Sequence, residues 1–93
     1  MEFLVTMTLD ARTVPEQRQA SLFAAERERA LALRAARSLV RMWRVPGRTA
    51  TISVWEAVDA SELHELLTSF PLHPWMTVDV APLAHHYVED QLR

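Results

Sequence analysis

The chain has 93 residues, 49% hydrophobic and 24% charged, with one glycine, five prolines and no cysteine; this fits one folded domain over 1–93 and excludes collagen-like, disordered and disulfide-framed classes. A net charge of −2 lacks the basic surface that phosphate neutralisation requires, so nucleic acid is not an expected partner. No apolar run approaches the roughly 20 residues that span a bilayer, and the start Met1-Glu2-Phe3 has no basic leader, so the expectation is a cytoplasmic protein without membrane contact.

Phe3, Val5, Met7 and Leu9 alternate with Thr6 and Thr8, which predicts a half-buried strand. Thr13-Val14-Pro15-Glu16 is a helix entry, because proline is tolerated in the first turn and an acidic residue there opposes the dipole. A helix is predicted from Glu16 to about Ser38, rich in Ala, Leu, Arg, Glu and Gln, with Arg27 and Arg34 breaking its apolar stripe. Leu39–Val45 and Thr49–Glu56 are β-prone runs around Pro46-Gly47-Arg48, where the only glycine suits a tight connection needing positive φ. Asp59 and Glu62 have capping-box spacing ahead of Leu63, Leu66, Leu67 and Phe70, and Pro71 stops that second helix. Trp75 to Val80 alternates again, with Met76, Val78 and Val80 inward. The tail from Ala81 to Arg93 has no period and is expected to lie over a neighbour or fray.

The order βαββαβ predicts a ferredoxin-like α+β fold, a four-stranded antiparallel sheet with two helices on one face. The other face is expected to carry Thr6, Thr8, Thr51, Ser53 and Thr77 with Trp55 and Trp75, joined by Trp43 or Arg44 according to register. Hydroxyls interleaved with indoles suit the wall of a small polar ligand or a subunit interface, so self-association through this face is expected.

Glu26-Arg27-Glu28-Arg29 reads either as a solvated, salt-bridged helix face or as the source of one carboxylate, Glu26, turned into an apolar pocket to move protons. In Arg41-Met42-Trp43-Arg44, Arg41 shares its direction with Trp43 and Arg44 with Met42. Whichever arginine faces a pocket offers a planar fork for a substrate carboxylate; an internal ion pair with Glu26 or Asp79 is the alternative. The four histidines lack zinc-site spacing, so no metal is expected, while His73 beside Trp75 is a candidate proton donor. No nucleophile elbow, phosphate loop or dinucleotide fingerprint is present.

Phe3-Leu4-Val5-Thr6-Met7, Glu26-Arg27, Trp43-Arg44-Val45-Pro46-Gly47, Ser53, Leu63-His64-Glu65-Leu66-Leu67 and Pro71-Leu72-His73-Pro74-Trp75-Met76 together resemble the muconolactone delta-isomerase family over nearly the whole chain. The resemblance implies a dimeric α+β barrel type of subunit, assembly into a ring-like homo-oligomer built from dimers (a decamer is one such assembly), and pockets between subunits. It implies a double-bond shift within a carboxymethyl-butenolide in aromatic catabolism, without metal or organic cofactor. Glu26 matches the helical glutamate thought to move the proton, Arg44 the arginine after the tryptophan, and Arg27 a basic position. The chain departs from the family pattern at Arg41, where His is usual, and at Thr49-Ala50-Thr51-Ile52-Ser53, where Tyr-Ala-Asn-Tyr-Ser is usual. It departs again at His73, Trp75 and Ala84-His85-His86, in place of Phe, Tyr and Cys-Arg-His.

The expected catalytic set is Glu26, Arg44 and His73, with Arg27, Arg41, Trp43, Thr51, Ser53, Trp55 and Trp75 binding substrate. Glu26 is the base, Arg41 or Arg44 the carboxylate anchor, and Thr51, Ser53 or His73 the donor to the developing oxyanion. Rival expectations are a diverged isomerase or cyclase on a larger aromatic or polyketide-like substrate, a cofactor-free oxygenase, and a non-catalytic ligand-binding oligomer.

Overall fold

The computed structural model describes residues 1–91; Leu92 and Arg93, the end of the predicted tail, lie outside the described residues. Its elements are β1 (Glu2–Leu9), α1 (Gln19–Ala35), β2 (Leu39–Arg44), β3 (Ala50–Glu56), α2 (Ala60–Thr68) and β4 (Met76–Leu83), with short 3₁₀ turns between them and a last one at Tyr87–Gln91. The sheet is antiparallel in the order β2-β3-β1-β4, which is the ferredoxin-like arrangement. Among the described residues no helix is long and apolar enough to cross a membrane.

Local chemistry accounts for the boundaries. The Glu16–Arg18 segment winds as 3₁₀ before α1 begins, and α1 ends where Arg37 takes φ 65, three residues short of the expected limit at Ser38. Gly47 at φ 76 makes the β2–β3 connection, as its freedom from a β-carbon allows. Asp59 accepts from the Glu62 amide at 2.9 Å, and Glu62 reaches back to the Val58 amide at 3.1 Å, so both ends of the capping motif are satisfied. β4 continues through Ala81, Pro82 and Leu83, which pair with Leu4, Phe3 and Glu2, where the sequence showed no strand period. Proline is compatible with this position because β4 is an edge strand.

Cross-strand register sorts side chains onto two faces, since directly paired residues project the same way. One inner row runs Arg44–Thr51–Met7–Val78 and the next Met42–Ser53–Val5–Val80; between them lies the outer row Trp43–Ile52–Thr6–Asp79. Phe3, Val5, Leu33, Leu39, Trp55, Leu63, Leu67 and Phe70 close the main core between the inner face and the helices. A β-bulge between Leu39 and Arg41 shifts the register, which lets Leu39 face the core while Arg41 faces outward. The Arg34 guanidinium donates to the Val40 carbonyl in this bulge, so the helix braces the irregularity.

This register corrects the expected composition of the open face. Thr51, Ser53 and Trp55 lie on the helix side, with Ser53 and Trp55 wholly buried. Trp75 sits in the turn before β4 and packs with Val14, Leu22 and Leu72 in a second small core. The open face instead carries Leu4, Thr6, Ile52 and Val54 with Arg41, Trp43, Thr77 and Asp79. Ser53 tolerates the buried side because its hydroxyl is hydrogen-bonded inside the protein to Val5 and Trp55.

Candidate active site

Between α1, the inner face of the sheet and the Phe70–Met76 segment lies a hollow of about 420 Å³. Its walls are mainly apolar: Met7 and Leu9 from β1, Phe23 and Ala30 from α1, Met42 from β2, and Phe70, Leu72 and Met76 from the segment between α2 and β4. Into it project Glu26 and Arg27 from α1, Arg44 from β2, and Thr51 from β3, with Thr49 just before that strand.

Glu26 is half-buried, and its Oε1 accepts from the Leu72 amide at 2.9 Å. The amide is available because Leu72 opens the His73–Trp75 turn, where an initial N–H has no partner within the turn. Leu72 itself is fixed by burial beside Val14 and Leu22, and its carbonyl accepts from the Trp75 amide at 2.9 Å. Burial pushes the Glu26 carboxyl above its ordinary value of 4.5, and the Leu72 hydrogen bond partly opposes that rise. One carboxylate oxygen is thereby tethered, and the group is a stronger base than an exposed glutamate.

Arg44 and Arg27 make no ion pair; among the described residues the ion pairs join Met1 to Glu56, Arg12 to Asp10 and His85 to Asp90. The internal pairs considered for an arginine of β2 with Glu26 or Asp79 are therefore not formed. Two guanidinium groups at one hollow form a ready site for an anion. Thr51 Oγ1 is shielded from solvent and has no hydrogen-bond partner, an arrangement that costs about 1–3 kcal/mol for a buried hydroxyl. The set can bind a small anion against apolar walls and hold it at the same hollow as a base.

The remaining expected site residues lie elsewhere. Arg41 and Trp43 are on the opposite face of the sheet, with the Arg41 guanidinium 4.9 Å from the Trp43 ring centre, because the bulge turns them outward. Ser53 Oγ donates to the Val5 carbonyl at 3.3 Å and accepts from Trp55 Nε1 at 2.9 Å, so neither group has a donor left for a ligand, and both residues are wholly buried. Trp55 also packs edge-to-face on Phe70, a core role. Trp75 lies under Arg18, 5.7 Å from its guanidinium, and belongs to the small core that also holds Leu9, Leu72 and Met76 of the hollow's wall. His73 lines a separate hollow of about 310 Å³ with His64, Leu67 and Val80, on the α2–β4 side. None of the three tryptophans expected to bind substrate, Trp43, Trp55 and Trp75, lines the Glu26 hollow. The Leu72 amide escaped sequence reasoning because a main-chain group carries no residue signal; Pro71 and Pro74 around it were the only trace.

The sequence matches the family model described as muconolactone delta-isomerase over residues 1–89. A muconolactone delta-isomerase of Pseudomonas aeruginosa is 33% identical over 87 residues, covering 92% of this chain and 91% of that protein. One from Rhodococcus opacus is 40% identical over 45 residues, so the match spans about half of each, 48% of both chains. A crystal structure of muconolactone isomerase superposes with a TM-score of 0.83 at 32% identity, covering 94% of this chain and 92% of that one. A 5-chloro-2-hydroxyhydroquinone dehydrochlorinase from Burkholderia phenoliruptrix shares the fold alone, with a TM-score of 0.71 at 17% identity.

Proposed function

The chain belongs to the muconolactone delta-isomerase family, and we propose that it is a cofactor-free isomerase that shifts a double bond in a small unsaturated lactone bearing a carboxylate. The observation that carries this reading is Glu26, half-buried and tethered by the Leu72 amide, sharing an apolar hollow with the unpaired Arg27 and Arg44.

Arg44 holds the substrate carboxylate through its planar fork. Glu26 takes a proton from an allylic ring carbon, and the C–H electron pair enters the ring to give a dienolate whose charge rests on the lactone carbonyl oxygen. Arg27, at the same hollow, opposes that charge. Glu26 then returns the proton to another ring carbon, so the double bond moves and the protein is regenerated with no net gain or loss of electrons. A base raised toward neutrality suits both halves, because it must accept the proton and release it again. His73 has no part in this scheme, since it lines the other hollow.

The 93 residues are read as one domain acting in the cytoplasm in aromatic catabolism. Self-association through the outer sheet face, as a dimer or a larger ring of dimers, is part of the same proposal. Support comes from Leu4, Ile52 and Val54 in the middle of that face and from Trp43, which is 44% exposed at its edge.

The test is an assay of the purified full chain on muconolactone, following the isomerised lactone. Turnover by the wild type that is lost in Glu26→Gln supports the reading, and full turnover in Glu26→Gln removes it.

A further inference from the structure

We propose that Thr51 is the specificity-determining residue of the Glu26 hollow: its hydroxyl donates to an oxygen of the bound substrate and so selects an oxygenated five-membered ring over a carbocycle of the same shape. This rests on the reading of the hollow as the substrate site and assigns the ring chemistry that the site favours.

The hydroxyls at one end of β3 are treated unequally. Thr49 Oγ1 donates to the Leu9 carbonyl at 2.9 Å, and Ser53 Oγ is engaged on both sides by Val5 and Trp55. Thr51, between them, is the one buried side-chain polar atom among the described residues without a partner. Its neighbours across the ladder explain why the protein leaves it so: Met7 on β1 offers only a thioether, and Arg44 on β2 has donors and no acceptor. The missing partner for the Thr51 proton is therefore an acceptor, and the unfilled space beside Thr51 is the hollow that Glu26 and Arg44 share. Oγ1 is covered while the residue lines the hollow, so the proposed contact includes a χ1 rotation of Thr51 as ligand binds. With Arg44 holding a carboxylate directly across the ladder, the acceptor that Thr51 meets belongs to the ring attached to it.

The free and bound states then place opposite demands on residue 51. Without ligand, a hydroxyl lacking a partner is inferior to a methyl of the same shape; with ligand, it supplies the bond that separates a lactone from its carbocyclic analogue.

The experiment compares wild type, Thr51→Val and Thr51→Ser by thermal unfolding without ligand, by KM and kcat for muconolactone, and by the inhibition constant of 2-cyclopentene-1-acetate, which keeps the carboxymethyl arm and lacks the ring oxygens. Thr51→Val is expected to melt at or above the wild-type temperature and to lose about 3- to 10-fold in kcat/KM for the lactone. Its inhibition by the carbocycle is expected to be unchanged, and Thr51→Ser to keep the wild-type preference. A lower melting temperature for Thr51→Val, an unchanged preference, or equal losses for both compounds overturns the inference. If that happens while Glu26→Gln is inactive, the isomerase reading stands alone. If the wild type neither binds nor converts muconolactone, that reading falls and the Thr51 inference falls with it.

Discussion

Arg41 and Arg44 leave the same strand in opposite directions, Arg41 against Trp43 on the outer face of the sheet and Arg44 into the hollow that holds Glu26. Two residues of one type, three positions apart, thus face separate surroundings, and exchange of each for an uncharged side chain tests whether their roles differ.

Arg44→Leu is expected to raise KM for a carboxylate-bearing lactone by about 10- to 150-fold, the loss of one charge-assisted bond of about 1.5–3 kcal/mol. Arg41→Leu is expected to leave KM within about twofold, because surface changes away from a site have small effects. Steady-state kinetics of the two variants, side by side, checks the assignment; a larger KM effect at Arg41 would reverse it.

Glu26→Gln is expected to lower kcat by about 10²- to 10⁴-fold, the usual contribution of a positioned general base. The side-chain oxygen of Gln can still accept from the Leu72 amide, so the fold is retained. Near-ultraviolet circular dichroism, sensitive to the three tryptophans, distinguishes a lost base from a lost fold.

The raised Glu26 carboxyl sets a pH signature with two linked parts. With Glu26 as the proposed base, turnover requires its carboxylate, so kcat/KM is expected to rise with pH through a value above 4.5. Stability runs the other way. A carboxyl whose folded value exceeds its unfolded one binds more protons in the native state across that interval. Its contribution is therefore greatest below 4.5, declines as pH climbs to the folded value, and is flat beyond it. Denaturant unfolding from pH 4 to 8 is expected to show this decline in the wild type and its absence in Glu26→Gln.

Ser53→Ala is expected to cost about 1–3 kcal/mol of stability, because the buried Trp55 Nε1–H then has no acceptor. KM for substrate is expected to stay unchanged. A raised KM at undiminished stability would return Ser53 to the list of ligand contacts.

Trp43→Glu is expected to weaken self-association, by adding a charge to the edge of the apolar outer face. Sedimentation velocity over a range of concentrations reads the shift toward monomer, and an unaltered distribution would show that the outer face is not the contact.

Most of the fold was legible because each boundary has its own local chemistry: the alternation in β1 and β4, the glycine at 47, the paired Asp59 and Glu62, and the proline at 71. Glu26 stood out of Glu26-Arg27-Glu28-Arg29 only as one of two readings of that run and through the family resemblance, and it lies at an apolar hollow. The directions of β3 side chains were not. Thr51, Ser53 and Trp55 look like an outward set beside Ile52 and Val54, yet the Trp55–Ser53–Val5 chain of hydrogen bonds makes the polar parity the buried one. Nor was it legible how Leu39 and Arg41 come to face opposite sides, since a bulge depends on pairing between strands and on Arg34 reaching over from α1. His73 was misplaced because nearness in sequence to Trp75 says nothing about which side of a single-turn helix an imidazole takes.

The tether on Glu26 comes from the main chain, and this bears on how such a molecule can diverge. Nineteen of the twenty amino acids carry the same N–H, so an exchange at position 72 that keeps the packing on Val14 and Leu22 leaves the anchor of Glu26 in place unless proline arrives. Lineages are then free to resculpt the surrounding walls, one side chain at a time, while inheriting the carboxylate in a fixed pose.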